Sequence, residues 1–433
     1  MKRNFIYAVL VVIISAAVGC VEITPVYDNL QVSTSEITVE AQDEATFEIT
    51  SGSGNYSVNS NNQAIVTATL SGTTVVVNGV QEGESTVVVV DNTSKQEVSV
   101  KVIVQKLVPR IIFKTAKAIG QDFTLGLVGA SWIDLNNNGV KDDNENIPEP
   151  FEYLHDPNID PDRLSDAGNA YKFTVHSQTI TIYGDVKHLN FWNHSRETWG
   201  RGKNNLPLIS LEIKGEHPHL EILQCGESGL SELSTVNMPN LRVLDCRDNN
   251  LKKLEVNKSS KIYLLYCSNN NLSSLNVSNL TELKYLECDN NMLTSLDVRN
   301  CKSLYRLYCN NNQLTSLLVS PDASNAPCHY LSSIRCYENK IKGKAMTDFI
   351  KNLPAGIVTY ERGTYKDINT TRWLVLSYIS ATEQNDDISS VEIDLLVKRY
   401  WFVYTKGKGY GEQLDPFDFD HEAQQFPCGY FKQ

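Results

Sequence analysis

Six cysteines in this chain stand on a ruler. Cys225, Cys246, Cys267, Cys288 and Cys309 follow one another at intervals of 21 residues, and Cys336 comes 27 residues after the last. One frame recurs around them: Leu241, Leu244, Cys246, Asn249, Leu251 and Leu254 hold the same places as Leu283, Leu286, Cys288, Asn291, Leu293 and Leu296. Between these copies lies Ile262, Leu265, Cys267, Asn270, Leu272, Leu275; after them come Leu304, Leu307, Cys309, Asn312, Leu314, Leu317 and then Leu331, Ile334, Cys336, Asn339, Ile341. Leu220, Leu223 and Cys225 form an earlier copy in which Ser228 replaces the Asn, and Val186, Leu189 and Phe191 a first, divergent one with an insertion around 194–205. The extra residues before Cys336 fall near Ser320–Ala326. A unit this short cannot bury an apolar face alone, so the units must stack and share one core. Each holds one short strand whose alternate residues point inward, and an Asn where the chain turns, whose side chain can bond loop backbone and stack into a ladder.

This frame, at this period, resembles the leucine-rich repeat, and the form Cys-x-Asn-Asn-x-Leu-x-x-Leu at Cys288–Leu296 resembles short-repeat surface proteins of the Bacteroidetes. The resemblance implies a solenoid over residues 179–343 that binds through the outward positions of its strands. The middle outward column reads Gln224, Asp245, Tyr266, Glu287, Tyr308, Arg335; the flanking columns contribute Leu264, Tyr285 and Arg306 on one side and Tyr337 on the other. Tyr and Arg are the residue types that dominate binding hot spots. The candidate face is therefore Asp245, Leu264, Tyr266, Tyr285, Glu287, Arg306, Tyr308, Arg335 and Tyr337, with its Leu, Tyr and Arg members expected as an exposed patch. The competing reading is a strand face that carries Tyr for its β-propensity.

Ten cysteines in an exported chain invite a disulfide framework. Neighbouring solenoid strands lie about 4.8 Å apart, within reach of a bridge, but their side chains run parallel as a stack. The expectation is a ladder of buried thiols at the place Leu otherwise fills. Cys301 and Cys328 each precede a ladder cysteine by eight residues; packing is the default for both, and a bridge between them stays open.

Export itself is read from residues 1–20. A basic start, the apolar run Phe5–Ile14 and the small residues after it make a secretory signal too short for a stable membrane span. Its ending, Ala17-Val18-Gly19-Cys20, resembles the lipobox of bacterial lipoproteins. That resemblance implies an acylated Cys20 and a lipid-anchored protein of the cell envelope, at the outer membrane and on the cell surface.

Residues 27–107 hold short alternating Val- and Thr-rich runs separated by turn residues, the pattern of a β-sandwich, and resemble bacterial immunoglobulin-like domains. Residues 108–178 read as a β-rich connector or N-terminal cap. Within them Asp134–Glu145 fits the twelve-residue calcium loop: Asp134, Asn136, Asn138, the Val140 carbonyl, Asp142 and Glu145 supply oxygens, and Gly139 sits at the sixth position. Lys141 departs from the helix-flanked form, and a strand rather than a helix precedes the loop. The expectation is a structural calcium site, against an Asn-rich turn that binds nothing. Residues 344–433 break the repeat and read as a small α/β cap, with helices at 344–353 and Ile388–Lys398 and strands near Trp373–Ile379 and Tyr400–Tyr404.

The whole is a multidomain β-rich chain: sandwich, solenoid, small α/β cap. Its net charge of −12 argues against a bare phosphate backbone as partner, so no nucleic acid is expected. Catalytic patterns fail. His421-Glu422 lacks the second His of a zinc-protease helix, Gly226-Glu227-Ser228-Gly229 lies inside a repeat, and His217 and His219 flank Pro218 in a turn where solvated imidazoles are expected. The expected function is non-enzymatic binding of a protein or peptide, adhesive in kind. The alternative is a glycan-binding accessory lipoprotein of a polysaccharide-uptake system.

Overall fold

Alternation decides the first part of the chain. In strands Glu44–Ser51, Thr74–Gly79, Gly83–Asp91 and Glu97–Gln105 the buried residues fall on alternate positions, so each strand has one face to hide. The computed structural model, which describes residues 27–149, 152–153, 169–191, 206–320, 331, 333–353, 372–375 and 401–404, shows how they do it. Gln31–Val32, Glu44–Ser51, Thr74–Gly79 and Val66–Ser71 form one sheet; Glu36–Glu40, Glu97–Gln105, Gly83–Asp91 and Tyr56–Ser60 form another. Phe47, Ile49, Val75 and Val77 of the first meet Val87, Val89, Val100 and Val102 of the second in one core. Asp91 is fully buried at a strand end, where its carboxylate accepts hydrogen bonds from Ser53 N and Oγ and from the backbone of Thr93 and Ser94.

The chain divides into two compact units, one ending at Leu107 and the other beginning at Val108. In the second, Arg110–Thr115, Asp122–Asp134, Asn169–Thr174 and Thr179–Asn190 pair antiparallel. Thr179–Asn190 changes partner along its length. Thr179–Tyr183 pair with Arg110–Lys114, while His188–Asn190 pair in parallel with Ile222–Gln224, Leu189 standing level with Leu223 as the divergent first copy requires. The change needs a sharp bend. It falls where the pairing register shifts, at Gly129 (φ +90°) against Asp185 and at Gly184 (φ +120°) opposite Ala130. A Cβ on Gly129 would lie 2.1 Å from the Asp185 carbonyl oxygen, so only glycine fits. The expected boundary at 178/179 is thus crossed by continuous sheet and core: residues 108–178 begin the solenoid's own sheet.

From there the parallel sheet continues through Val243–Asp245, Leu264–Tyr266, Tyr285–Glu287, Arg306–Tyr308 and Ser333–Arg335, and then Arg372–Val375 and Trp401–Tyr404. Leu223, Leu244, Leu265, Leu286, Leu307 and Ile334 point inward and are fully buried, as is every ladder cysteine from Cys225 to Cys336. These cysteines are free thiols, and burial pushes Cys246, Cys267, Cys288 and Cys309 far above the ordinary thiol range. Each frame Asn bonds backbone in its own turn and the one before: Asn270 Oδ1 accepts from Leu251 N, while its Nδ2 donates to the Cys246 and Cys267 carbonyls. The residue just before it takes a left-handed backbone in every turn: Glu227, Asp248, Asn269, Asn290, Asn311 and Glu338 have φ of 50–56°. Asn and Asp tolerate that conformation best, which accounts for the Asn-Asn pairs. The expected helix is present at Lys344–Asn352, with Met346, Phe349 and Ile350 buried. Residues 1–20 with Cys20, the 194–205 insertion, Cys328, Cys428, His421 and the expected helix 388–398 lie outside the described residues.

Candidate functional site

Parallel pairing aligns the outward residues of successive strands. One column runs Ile222, Val243, Leu264, Tyr285, Arg306, Ser333; the next runs Gln224, Asp245, Tyr266, Glu287, Tyr308, Arg335. The columns change character along the stack. In the first three turns they are closed: Ile222, Val243 and Leu264 are at most 2% exposed and form an apolar cluster of their own with Tyr263, against which Tyr266 and Tyr285 pack. Two expectations are corrected here. Leu264 belongs to that cluster rather than to an exposed patch. Asp245 is 2% exposed because Arg247 grips it, Nε to Oδ1 at 3.0 Å and Nη2 to Oδ2 at 2.7 Å. Gln224 is equally buried, and its Oε1 has no hydrogen-bond partner among the described residues.

The later turns are half-open. Tyr266, Tyr285, Glu287, Arg306, Tyr308, Arg335 and Tyr337 are all half-buried. Guanidinium groups lie against the rings: Arg247 5.0 Å from the Tyr266 centroid, Arg306 5.6 Å from both Tyr285 and Tyr308, and Arg335 4.1 Å from Tyr308. Arg242 lies 5.3 Å from Tyr263, and Tyr305 meets Tyr285 edge-on at 5.8 Å. Sequence reasoning left Arg242, Tyr263 and Tyr305 out of the face. They precede their strands by one residue, and the signal was there: Arg242, Tyr263, Lys284 and Tyr305 recur at the same period.

Carboxylates sit among these cations. Arg247 Nη1 also reaches Glu287, at 3.8 Å. Asp289 accepts from Ser268 Oγ and from Asn290 Nδ2. Burial pushes the carboxyls of Glu287 and Asp289 above the ordinary range, against the pull of the nearby arginines. Burial and Glu287 together raise the Tyr266 phenol.

The Asn-rich loop of the antiparallel part is tied to itself. Asp134 accepts from the backbone of Asn138 and Gly139, and Asn136 Oδ1 from that of Asn138. Asn138 Oδ1 accepts from Val140 N. Glu145, fully buried, accepts from the backbone of Leu135 and Asp142. The side-chain amides of Asn136 and Asn138 both donate to Asp142 Oδ2, at 2.7 and 2.9 Å. Among the described residues no three His, Cys, Asp or Glu side chains are gathered closely enough to hold a metal as they stand. His217, expected as solvated, is 3% exposed, and its burial lowers its affinity for a proton; His219 pairs with Asp185 at 2.6 Å.

No family model matches the chain, and no curated protein matches it. Among solved structures it is similar to the functional domain of InlJ from Listeria monocytogenes, described as including a cysteine ladder (26% identity, 37% of this chain and 31% of that one, TM-score 0.28). It is also similar to YopM, a leucine-rich effector protein from Yersinia pestis (29% identity, 36% and 38%, TM-score 0.27). Domains 4 and 5 of the S-layer protein SbsC match at 33% identity over 19% of this chain and 53% of that one, with a TM-score of 0.17. The chain spans about a third of the first two structures and about half of the third. What the chain itself shows is a β-rich fold in which a parallel sheet of three-residue strands, repeating every 21 residues, carries one continuous core.

Proposed function

We propose that this is a non-enzymatic protein of the cell envelope, anchored by acyl chains on Cys20, that binds a protein or peptide partner through the half-open turns of its solenoid face. The observation that carries this is the Arg–Tyr lattice. Stacked guanidinium and phenol groups are held in place before any partner arrives, so little side-chain entropy is lost on binding. The same lattice weighs against the glycan-binding alternative. Sugar rings need open aromatic faces, and Tyr308 carries the guanidiniums of both Arg306 and Arg335. In this reading residues 27–107 are an immunoglobulin-like spacer, and the Asp134–Glu145 loop holds a structural calcium ion. Its carboxylates and Asn oxygens are the hard donors that ion takes, and the two amide N–H groups on Asp142 occupy the place a cation would claim.

The test sets a peptide library beside a glycan array, both probed with the chain lacking only its leader. Tyr308→Ala with Arg335→Ala should weaken peptide binding by more than tenfold, as loss of hot-spot residues does, with little change in melting temperature. The exposed Lys252→Ser should do nothing. Glycan hits that depend on the same two residues would transfer the reading to the alternative; no face-dependent binding in either format would overturn it. For the anchor, Cys20→Ser should move the protein from the membrane fraction to the supernatant, and membrane retention of that variant would refute acylation.

A further inference from the structure

Charges on the outward face are not equally compensated. Arg247 spends two short hydrogen bonds on Asp245, whose side chain is 3% exposed, and reaches Glu287 only through its remaining nitrogen at 3.8 Å. Asp289, two residues beyond Glu287 and past the strand's end, has its own donors in Ser268 and Asn290. Glu287 stands in register between Tyr266 and Tyr308, so its neighbours above and below are rings rather than donors of full charge. Its side chain keeps 21% exposure, enough for a proton to reach it and too little to hydrate a carboxylate fully.

We propose that Glu287 is a proton-binding group that sets the charge of the binding face, so that mild acid strengthens its hold on an anionic partner. This rests on the reading of the face as a binding surface. With every group ionised, the carboxylates of Asp245, Glu287 and Asp289 balance the guanidiniums of Arg247, Arg306 and Arg335. Protonating Glu287 tips the balance to a net cation, and protonating Asp289 adds to it. The direction follows from burial, which disfavours the charged form of both groups and so raises their titration above the ordinary carboxylate range. Arg247, gripped by Asp245, cannot follow Glu287 to cancel the change.

The experiment uses the full chain without its leader, labelled with carboxyl carbon-13 in Glu. The Glu287 resonance should titrate above the ordinary 4.5, the Tyr266 ring signal should follow with the same midpoint, and both transitions should vanish in Glu287→Gln. Binding is read with dextran sulfate, whose charge is constant across the range. Glu287→Gln should bind it roughly threefold more tightly than the parent at pH 7.5, the effect of one charge some 7 Å away in a watery environment, and the gap should close as pH falls through the Glu287 midpoint. Glu287→Asp, which keeps an acid in place, should restore the pH dependence, and melting temperatures check that all three are folded. A Glu287 midpoint at or below 4.5 overturns the proposal and leaves the binding face standing. A parent and Glu287→Gln that bind with identical pH profiles overturn it too. Dextran sulfate binding that is indifferent to Tyr308→Ala and Arg335→Ala would instead refute the face.

Discussion

At Asn270 one carboxamide serves both the turn it belongs to and the turn before it. Its oxygen takes Leu251 N at 3.0 Å, and its nitrogen reaches the carbonyls of Cys246, Cys267 and Ser268 at 3.0–3.2 Å, all of them inside the protein. Removing such a group leaves buried donors and acceptors with nothing in exchange, at about 1–3 kcal/mol for each one stranded. Asn270→Ala should therefore cost about 3 kcal/mol, read as a lower midpoint in urea unfolding. A loss under about 1 kcal/mol would show that water replaces the carboxamide in the turn. The cysteines beside it do the opposite kind of work. Cys267 contributes volume and no charge, because burial holds its thiol protonated far beyond neutral pH.

Among the elements, the Asp134–Glu145 loop carries the calcium proposal. Glu145 is buried against backbone donors, so Glu145→Gln should weaken calcium binding and remove most of the rise in melting temperature that calcium gives the parent, since a ligand of the native state stabilises it by mass action. A calorimeter that records no heat when calcium is added to the parent would dismiss the ion. The repeat strands, their inward residues and the Asn ladder were legible in the sequence because all three are periodic and local. The outward face was only half legible. Strand alternation says that Leu264 and Asp245 point away from the core, and they do; their burial comes from Tyr263 and Arg247, lateral neighbours that alternation does not rank. The partner change of Thr179–Asn190 was also hidden, because the glycines that permit it, Gly129 and Gly184, lie on different strands and matter only when those strands meet.

For the molecule as a whole, acid should act on the two units through different groups. Asp91 in the first is pushed up by burial but pulled well below the ordinary 3.8 by bonds from Ser53, Ser94 and Thr93. A depressed carboxyl gives stability that is complete above 3.8 and is lost as pH falls below it. His217 in the second is held below the ordinary 6.5 by burial. Its unfolded form takes a proton first, so it begins to subtract stability as pH drops under 6.5, while Glu287 and Asp289, shifted upward, oppose it over part of that range. All five tryptophans lie beyond residue 107, so their emission reports the second unit alone. His217→Gln should flatten the fall in that unit's urea midpoint between pH 6.5 and 5, and an unaltered slope would acquit the histidine. One last feature bears on ancestry. Interior turns of equal length, each bonded only to its neighbours, are interchangeable copies, so unequal recombination can add or delete a 21-residue cassette without leaving a scar in the coil. Thr179–Asn190 pairs antiparallel with Asp122–Asp134 and, through Thr179–Tyr183, with Arg110–Lys114, while its His188–Asn190 end carries the divergent first copy and offers the parallel edge on which Ile222–Gln224 stacks. It marks where counting starts, and a turn added or removed beyond it leaves that starting edge unchanged.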